Sequence, residues 1–340
     1  MRAIVCRELG PPDLLMLEDL PDPEPGPGQV LVDVRAAGIN FPDLLMIQGL
    51  YQEKLDPPFV PGGEAAGVVS AVGDGVTEFA PGDPVMLTTA SDGTSMSGAF
   101  AEKAVAGVHQ LLAMPRSMSF EQGAGFVIAY GTAYYALKQR AGLQPGETLL
   151  VLGAAGGVGA AAVEIGKAMG ARVVAAASTI EKLEFARQVG ADETVDYTKD
   201  DLRDRVKELT GGHGADVVFD PVGGSLAEQA LRATAWDGKL LVIGFAAGEI
   251  PRIPLNLALL KGASIVGVYW GAWVGREPDR SRQNFAELFT MVDSGRLSPR
   301  VTDVYPLEDF REALGTIEAR RARGKVVLQM STAGTSRVSH

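Results

Sequence analysis

The sequence predicts an α/β protein of two domains, with a doubly wound parallel sheet inserted into a β-rich domain. Three observations predict it. A chain of 340 residues exceeds what one hydrophobic core comfortably organises. Residues 1 to about 125 carry short runs rich in Val, Ile and Leu, RAIVC, QVLVDVRAAGI, AAGVVSAVG and DPVML, separated by Gly, Pro and Asp, the texture of strands and turns. Beyond Glu147 near-continuous apolar runs alternate with helix-length segments, which means parallel strands joined by helical crossovers.

Taken in order, PDPEPGPGQ (21–29) is a stiff proline-rich connector. GINFPDLLMIQGLYQ (38–52) is an apolar run opened by Asn40 and Asp43 and closed by Gly49 ahead of Tyr51. It is either a folded turn or the wall of a site. The stretch 119–143 reads as helical, with Gly142 as its stop. Then TLLVLG leads to VGAAAVEIGKAMG, RVVAAAS to EKLEFARQVG, ETVDY to DLRDRVKELTG, ADVVFD to SLAEQALRATA, and KLLVIGF through PLNLALLKG to SIVGVYW, a sheet of about six strands. From about residue 272, RQNFAELFTMVDSG and LEDFREALGTIEARRARG predict two helices, and KVVLQM a strand, that pack back on the first domain. The expected division is 1–125 with 272–340, and 126–271. The last ten residues are small and polar, and are expected to fray.

A net charge of −11 without a Lys/Arg run argues against a nucleic-acid partner. The one cysteine, Cys6, excludes a disulfide framework and a multi-cysteine zinc site. No window reaches the ~18 uncharged apolar residues of a membrane span, and no secretory h-region opens the chain, so cytoplasm is the expected compartment.

The stretch 151–171 follows an expected strand and opens an expected helix, with glycines at 153, 156, 157 and 159. Its G-x-x-G-x-x-G spacing departs from the strict G-x-G-x-x-G fingerprint, but the physics holds. Side-chain-free turns let the backbone approach a pyrophosphate, and the helix N-terminus supplies N–H groups and the positive dipole end. The alternative is a glycine turn needed only for tight strand–helix packing. An NAD-type acid would stand about 20 residues past the first glycine. Here no acid lies between Ala175 and Thr179, while Ser178, Thr179 and Lys182 are present. That set suits the 2′-phosphate of NADPH; Lys182 as a solvated surface lysine is the other reading.

Six segments, AAGINFPDLL…GLY, PFVPGGEAAGVVSAVG, GVTEFAPGDPVM, LLVLGAAGGVG, GADETVDY and ARGKVVL, stand in the order and spacing of a known group. Over nearly its whole length the chain resembles the zinc-free quinone oxidoreductases, the zeta-crystallin-like branch of the medium-chain dehydrogenase/reductase superfamily. The resemblance implies a GroES-like domain with an inserted Rossmann domain, and a homodimer joined through the strand 264–270. Zinc-dependent relatives place a cysteine where this chain has Asn40, and a histidine at the place of Gly63, ahead of Glu64. A catalytic zinc takes at least three protein ligands, and His109, His213 and His340 are the only histidines. His109 reads as part of a strand and His213 as a loop residue, so no metal is expected and Glu64 is expected to serve a structural hydrogen bond.

Carried over residue by residue, the resemblance places Gly156, Gly157, Val158 and Gly159 at the pyrophosphate. It places Ser178, Lys182 and Tyr197 around the adenosine 2′-phosphate. Thr132, Gly244, Phe245, Val268, Tyr269 and Trp270 fall toward the nicotinamide end, Arg320 reaches the cofactor from the C-terminal segment, and Asn40 lines the nicotinamide pocket. Trp270 and Trp273 are interface or core residues, or a lid over an aromatic substrate. Asp43 reads as a turn or buried hydrogen-bonding residue.

Without a Lewis acid an isolated ketone is poorly polarised, so the expected acceptor is already electron-poor, a quinone or related conjugated carbonyl. Tyr51, a phenol of ordinary pKa near 10, is the candidate to stabilise or protonate the product, or is simply a wall. The enoyl-thioester reductases, a sister branch, have a segment similar to DLLMIQGLY and use the matching tyrosine as the acid. Reduction of an enoyl-thioester, alkenal or enone is therefore the competing activity. An NADPH-binding, crystallin-like protein of little turnover is the reading of a different class.

Overall fold

The computed structural model describes residues 1–89 and 98–331; His340 and the rest of the tail expected to fray, beyond Ser331, lie outside the described residues. The chain divides into two compact units, Met1–Ile128 together with the segment from Val301 onward, and Ala129–Arg300.

In chain order the first unit contributes β1 (Arg2–Val5), β2 (Met16–Asp19), β3 (Gln29–Ile39), α1 (Phe41–Ile47), β4 (Glu64–Val72), β5 (Pro84–Thr88), β6 (Lys103–Gly107), β7 (Leu111–Ala113) and α2 (Phe120–Ala124). The boundary falls within α3 (Val127–Tyr134), which runs on as a π-helical segment, Tyr135–Ala141. The second unit then alternates β8 (Thr148–Leu152), α4 (Gly157–Ala168), β9 (Arg172–Ala177), α5 (Ile180–Gln188), β10 (Glu193–Asp196), α6 (Leu202–Leu209), β11 (Ala215–Asp220), α7 (Gly224–Ala233), β12 (Thr234–Val242), α8 (Asn256–Lys261) and β13 (Ser264–Gly267). It closes with α9 (Trp270–Arg276) and α10 (Pro278–Asp293). The chain returns to the first unit as β14 (Val301–Pro306), α11 (Phe310–Glu318) and β15 (Lys325–Gln329).

In the first unit the strands pair in the order β14-β15-β3-β4-β5-β7, with β6 also on β3. Eight of the eleven residues of β3 are Val, Leu, Ile, Ala or Gly and are buried; its buried side chains join Phe59, Phe100, Leu15 and Phe310 in one core. Return of the C-terminal segment is sealed by register, because Val326 of β15 pairs with Ile39, and Gly38 of the same β3 pairs with Glu64 of β4. The second unit is a six-stranded sheet, β10-β9-β8-β11-β12-β13, with every pair parallel. This is the 3-2-1-4-5-6 order of a Rossmann sheet. All five residues of β8, TLLVL, are buried, as a central strand covered by helices on both faces requires.

Three expectations are corrected. The chain does not rejoin the first unit at residue 272 but at Val301, so α9 and α10 belong to the second unit. Aromatic anchors decide this: Trp273 stacks on Tyr135 with ring centroids 4.3 Å apart, and Trp270 meets Phe285 edge-on at 6.4 Å. The strand expected over 264–270 ends at Gly267, and Trp270 opens a helix. His109 lies in a 3-10 turn, Val108–Gln110, not in a strand, because Gln110 Oε1 turns back to accept from Gly107 N at 2.8 Å.

Candidate functional site

The second unit presents its loops at the carboxyl ends of the parallel strands, where the strand order reverses between β8 and β11. Ligands of doubly wound sheets bind at that switch point. After β8, Gly153 takes a left-handed conformation (φ 56°) and its carbonyl accepts from Gly156 N at 3.0 Å. Gly156 then caps α4 in extended geometry. Gly159 is buried in the first turn, and a Cβ there would lie 2.3 Å from Gly153 O and 3.0 Å from Ala154 Cα. The loop and helix can close this tightly only without that side chain. The first-turn N–H groups of α4, Gly157, Val158 and Gly159 among them, have no intrahelical acceptor, and they crown a twelve-residue helix.

Ser178 follows β9, and Thr179 caps α5 by accepting from Lys182 N at 3.3 Å. That cap turns Lys182 back so that its ammonium donates to Ser178 Oγ at 3.3 Å. Tyr197 follows β10 and its N–H donates to Ala177 O at 3.3 Å. Ser178, Lys182 and Tyr197, separated by up to 19 residues of chain, are thus brought to one strand end. Gly244 and Phe245 follow β12 in a loop held by Gly244 N and Ala246 N on the carbonyls of Asp220 and Pro221, at 3.4 and 3.1 Å. Asp220 is itself buried and accepts from Val222 N and Gly223 N at 2.8 Å each; burial pushes its carboxyl up, against the pull of those two N–H groups. Val268 follows β13 and donates to Val242 O at 3.0 Å; Tyr269 caps α9 and is exposed. Trp270 packs so closely on α3 that a Cβ at Gly131, the neighbour of Thr132, would come within 2.7 Å of its ring. Trp273 is buried against Tyr135, and the half-buried Trp270 meets Phe285 edge-on.

In the first unit the opening and close of the 38–52 segment have separate causes. Asp43 Oδ2 accepts from Asn40 N at 2.7 Å, which caps α1, and Asp43 is buried. Burial pushes the Asp43 carboxyl up to about 7, opposed by N–H donors at Asn40 and Gly63 and by the Lys325 charge. At the other end Gly49 takes a left-handed conformation (φ 66°), and Leu50 N and Tyr51 N both donate to Leu45 O, at 2.8 and 3.3 Å. This is a helix stop of the kind glycine favours, and it holds Tyr51 half-buried beyond the end of α1. Asn40 and Tyr51 therefore stand at opposite ends of a helix about 10 Å long by its rise per residue. Arg320, at the close of α11, also takes a left-handed conformation (φ 55°) and belongs to the first unit.

The side chain of Asn40 does not cap α1. Its Nδ2 donates to Glu64 Oε1 at 2.9 Å, and its Oδ1 accepts from Lys325 Nζ at 2.7 Å. Lys325 also donates to Glu64 Oε1 at 2.8 Å and to Ile39 O at 3.1 Å, while Glu64 Oε2 accepts from Ile128 N at 2.8 Å. The Lys325 and Glu64 side chains are 6% and 0% exposed. Removing one partner of such a pair costs about 3–5 kcal/mol, because it strands a buried charge. The expectation that Glu64 makes structural hydrogen bonds agrees with these contacts. Lys325 was not singled out by its type or spacing; the one signal was a lysine at the head of the apolar run KVVLQM.

These contacts also test the zinc expected of metal-dependent relatives, and the residues do not fit it. Position 40 offers an amide already engaged at both ends, and position 63 has no side chain. The carboxylate of Glu64 is occupied by an ammonium. Among the described residues no group of three His, Cys, Asp or Glu side chains is arranged to hold a metal. His213 instead pairs with Asp216, Nε2 to Oδ1 at 2.8 Å.

Comparison with known proteins agrees with this architecture. Residues 26–116 match the family model of the alcohol dehydrogenase GroES-like domain, and residues 157–292 match that of the zinc-binding dehydrogenase. The chain is 43% identical to a quinone oxidoreductase-like protein 2 homolog of Nematostella vectensis, over 96% of this chain and 88% of that protein. It resembles the Escherichia coli quinone oxidoreductase complexed with NADPH at a TM-score of 0.87 and 29% identity, over 97% of this chain and 100% of the other. It likewise resembles the CurK enoyl reductase at a TM-score of 0.86 and 27% identity, over 97% and 99% of the two chains. The chain therefore belongs to the quinone oxidoreductase, zeta-crystallin-like branch of the medium-chain dehydrogenase/reductase superfamily.

Proposed function

We propose that this protein is an NADPH-dependent, zinc-independent reductase of quinones and related conjugated carbonyls. The observation that carries this reading is an intact glycine cradle at the switch point of the second unit, in a chain whose Asn40 and Glu64 are both engaged by the Lys325 ammonium. When bound, NADPH would supply the hydride equivalent. The protein's own part is to bind, orient and exclude water. Gly156, Gly157, Val158 and Gly159 hold the pyrophosphate with main-chain N–H groups. Ser178, Lys182 and Tyr197 surround the 2′-phosphate, where a hydroxyl and an ammonium favour the charge that an aspartate would repel. Thr132, Gly244, Phe245, Val268, Tyr269 and Trp270 border the nicotinamide end, and Arg320 contributes a cation. Asn40 lines the acceptor side, and Tyr51 stabilises or protonates the reduced acceptor.

The test is one spectrophotometric panel that follows oxidation of NADPH and NADH with a quinone, an alkenal and an enoyl-CoA. Turnover of the quinone with NADPH is expected. Tight NADPH binding with no turnover of any acceptor would replace the enzyme by a cofactor-binding, crystallin-like protein. In the same panel Lys182→Ala should weaken NADPH by about tenfold, the value of one charge-assisted contact, and leave NADH within about twofold. Equal use of both cofactors by the native protein would refute the roles given to Ser178 and Lys182.

Reduction of a conjugated C=C is the second reading. It is favoured by the likeness to an enoyl reductase and by Tyr51 at the close of DLLMIQGLY; preference for the enoyl-CoA in the panel would select it.

Among the described residues edge strand β13 pairs only with β12, and apolar side chains are exposed beside it: Leu259 is 79% and Trp236 76% exposed, and Trp236 borders Gly262, between α8 and β13. Unpaired edges and large apolar patches are normally covered, which supports the homodimer. Ile265→Lys, on the edge strand, is expected to halve the mass found by sedimentation velocity; an unchanged mass would place the association elsewhere.

A further inference from the structure

We propose that Lys325 is a positioning residue of the acceptor site, acting through Asn40: its ammonium, bonded to both Asn40 Oδ1 and Glu64 Oε1, sets the orientation of the Asn40 amide. The inference rests on the reading that Asn40 lines the acceptor side.

The geometry arises where three neighbouring strands meet. Lys325 opens β15, β3 runs out into Asn40, and Glu64 opens β4 opposite Gly38. Two glycines make room. A Cβ at Gly125 would sit 2.9 to 3.2 Å from the aliphatic stem of Lys325, and one at Gly38 would sit 2.2 Å from Ala124 O and 2.9 Å from Glu64 Oε1. The three ammonium hydrogens have three acceptors, Ile39 O, Asn40 Oδ1 and Glu64 Oε1.

An ammonium donates only, so the atom of the Asn40 amide facing it must be the oxygen. Glu64 as a carboxylate accepts only, so the atom facing it must be the nitrogen. The two charges together fix which way the amide points. The second N–H, with Gly38 O at 3.5 Å, and one oxygen lone pair of a half-buried side chain then keep a set direction. A neutral side chain at 325 would remove half of that selection and leave Glu64 alone to orient the amide. Lys325 thus orients a neighbour and also neutralises a buried carboxylate. The two roles can be separated, because a glutamine at 64 abolishes the need for neutralisation while its one oxygen still accepts from Asn40, at the loss of the bond from Ile128 N.

The experiment uses the full-length protein and two readouts. The chain has three asparagines, Asn40, Asn256 and Asn284. Selective 15N-asparagine labelling therefore gives three side-chain amides, and the Asn40 pair is assigned by its loss in Asn40→Ala. In Lys325→Met, and in Lys325→Met/Glu64→Gln made to restore the fold, the Asn40 amide resonances are expected to move while those of Asn256 and Asn284 stay. In the double variant kcat for the quinone should remain down by about tenfold or more, the cost of a misplaced contact. The NADPH dissociation constant should stay within about twofold. Adding Asn40→Ala should lower kcat no further, since both changes remove one interaction.

Recovery of native kcat in Lys325→Met/Glu64→Gln would reduce Lys325 to a counter-ion, and unmoved Asn40 resonances would overturn the proposal outright. If the native protein reduced no acceptor, the functional reading would fall, and the resonances alone would decide whether Lys325 orients Asn40.

Discussion

Gly159→Ala is expected to raise the NADPH dissociation constant by about 100-fold or more and to lower the melting temperature as well. A Cβ at this position would meet Gly153 O at 2.3 Å and Ala154 Cα at 3.0 Å. Both are main-chain atoms, so no rotamer change relieves the clash. The N-terminus of α4 must lift away from the loop after β8, and the first-turn N–H groups lose their common aim. Hydrogen bonds to a charged group are worth about 1.5–3 kcal/mol each, and each 1.4 kcal/mol is about tenfold in affinity. Loss of two such bonds gives the expected figure. Gly156→Ala is the control. Its Cβ would lie 3.5 Å from Gly153 O, an ordinary contact, so the melting temperature should hold while a methyl group intrudes where the pyrophosphate is proposed to lie. Fluorescence titration with NADPH and a thermal melt of each variant distinguish the two effects. Gly159→Ala binding NADPH within twofold of native would show that the glycine serves only strand–helix packing.

Tyr51→Phe is expected to lower kcat/KM for an alkenal or enoyl-CoA by about 100-fold, the usual worth of a positioned general acid. Reduction of a C=C bond leaves a carbanion that must gain a proton at carbon, whereas quinone reduction leaves oxyanions that exchange protons readily with water. The quinone rate should therefore fall less. The turn that holds Tyr51 is a main-chain construction of Gly49 and Leu45 O, so removal of the hydroxyl should leave stability and NADPH binding within about twofold. Steady-state kinetics with both acceptor classes measure this. A drop of less than about twofold for every acceptor would leave Tyr51 as a wall residue and remove the main support for an enoyl-type substrate.

What could be read from sequence followed local rules. The strands of the second unit were visible because TLLVL and RVVAAA are apolar throughout, as buried parallel strands must be. The glycine loop was visible because it must follow such a strand and open a helix, and Gly142 because a helix stop favours a residue tolerant of left-handed geometry. Asp43 was visible as a turn or buried hydrogen-bonding residue, and its carboxylate accepts from Asn40 N. Each of these depends on neighbours within a few positions of the chain.

Tertiary structure decided the rest. Trp270 and Trp273 look the same in sequence whether they serve an interface, a lid or a core; only the rings of Tyr135 and Phe285, reached through folding, buried Trp273, gave Trp270 its partner and drew α9 and α10 into the second unit. Above all, Lys325 lies 285 residues from Asn40 and 261 from Glu64. No periodicity or motif joins the three, because a buried ion pair is specified by strand register, and register is set by how the sheet as a whole buries its apolar face. Sequence alone determined the two architectures, the glycine cradle and the absence of metal-ligand residue types at 40 and 63; the fold determined that an ammonium reaches Asn40 and Glu64, since only the pairing of β15 with β3, and of β3 with β4, carries the charge there.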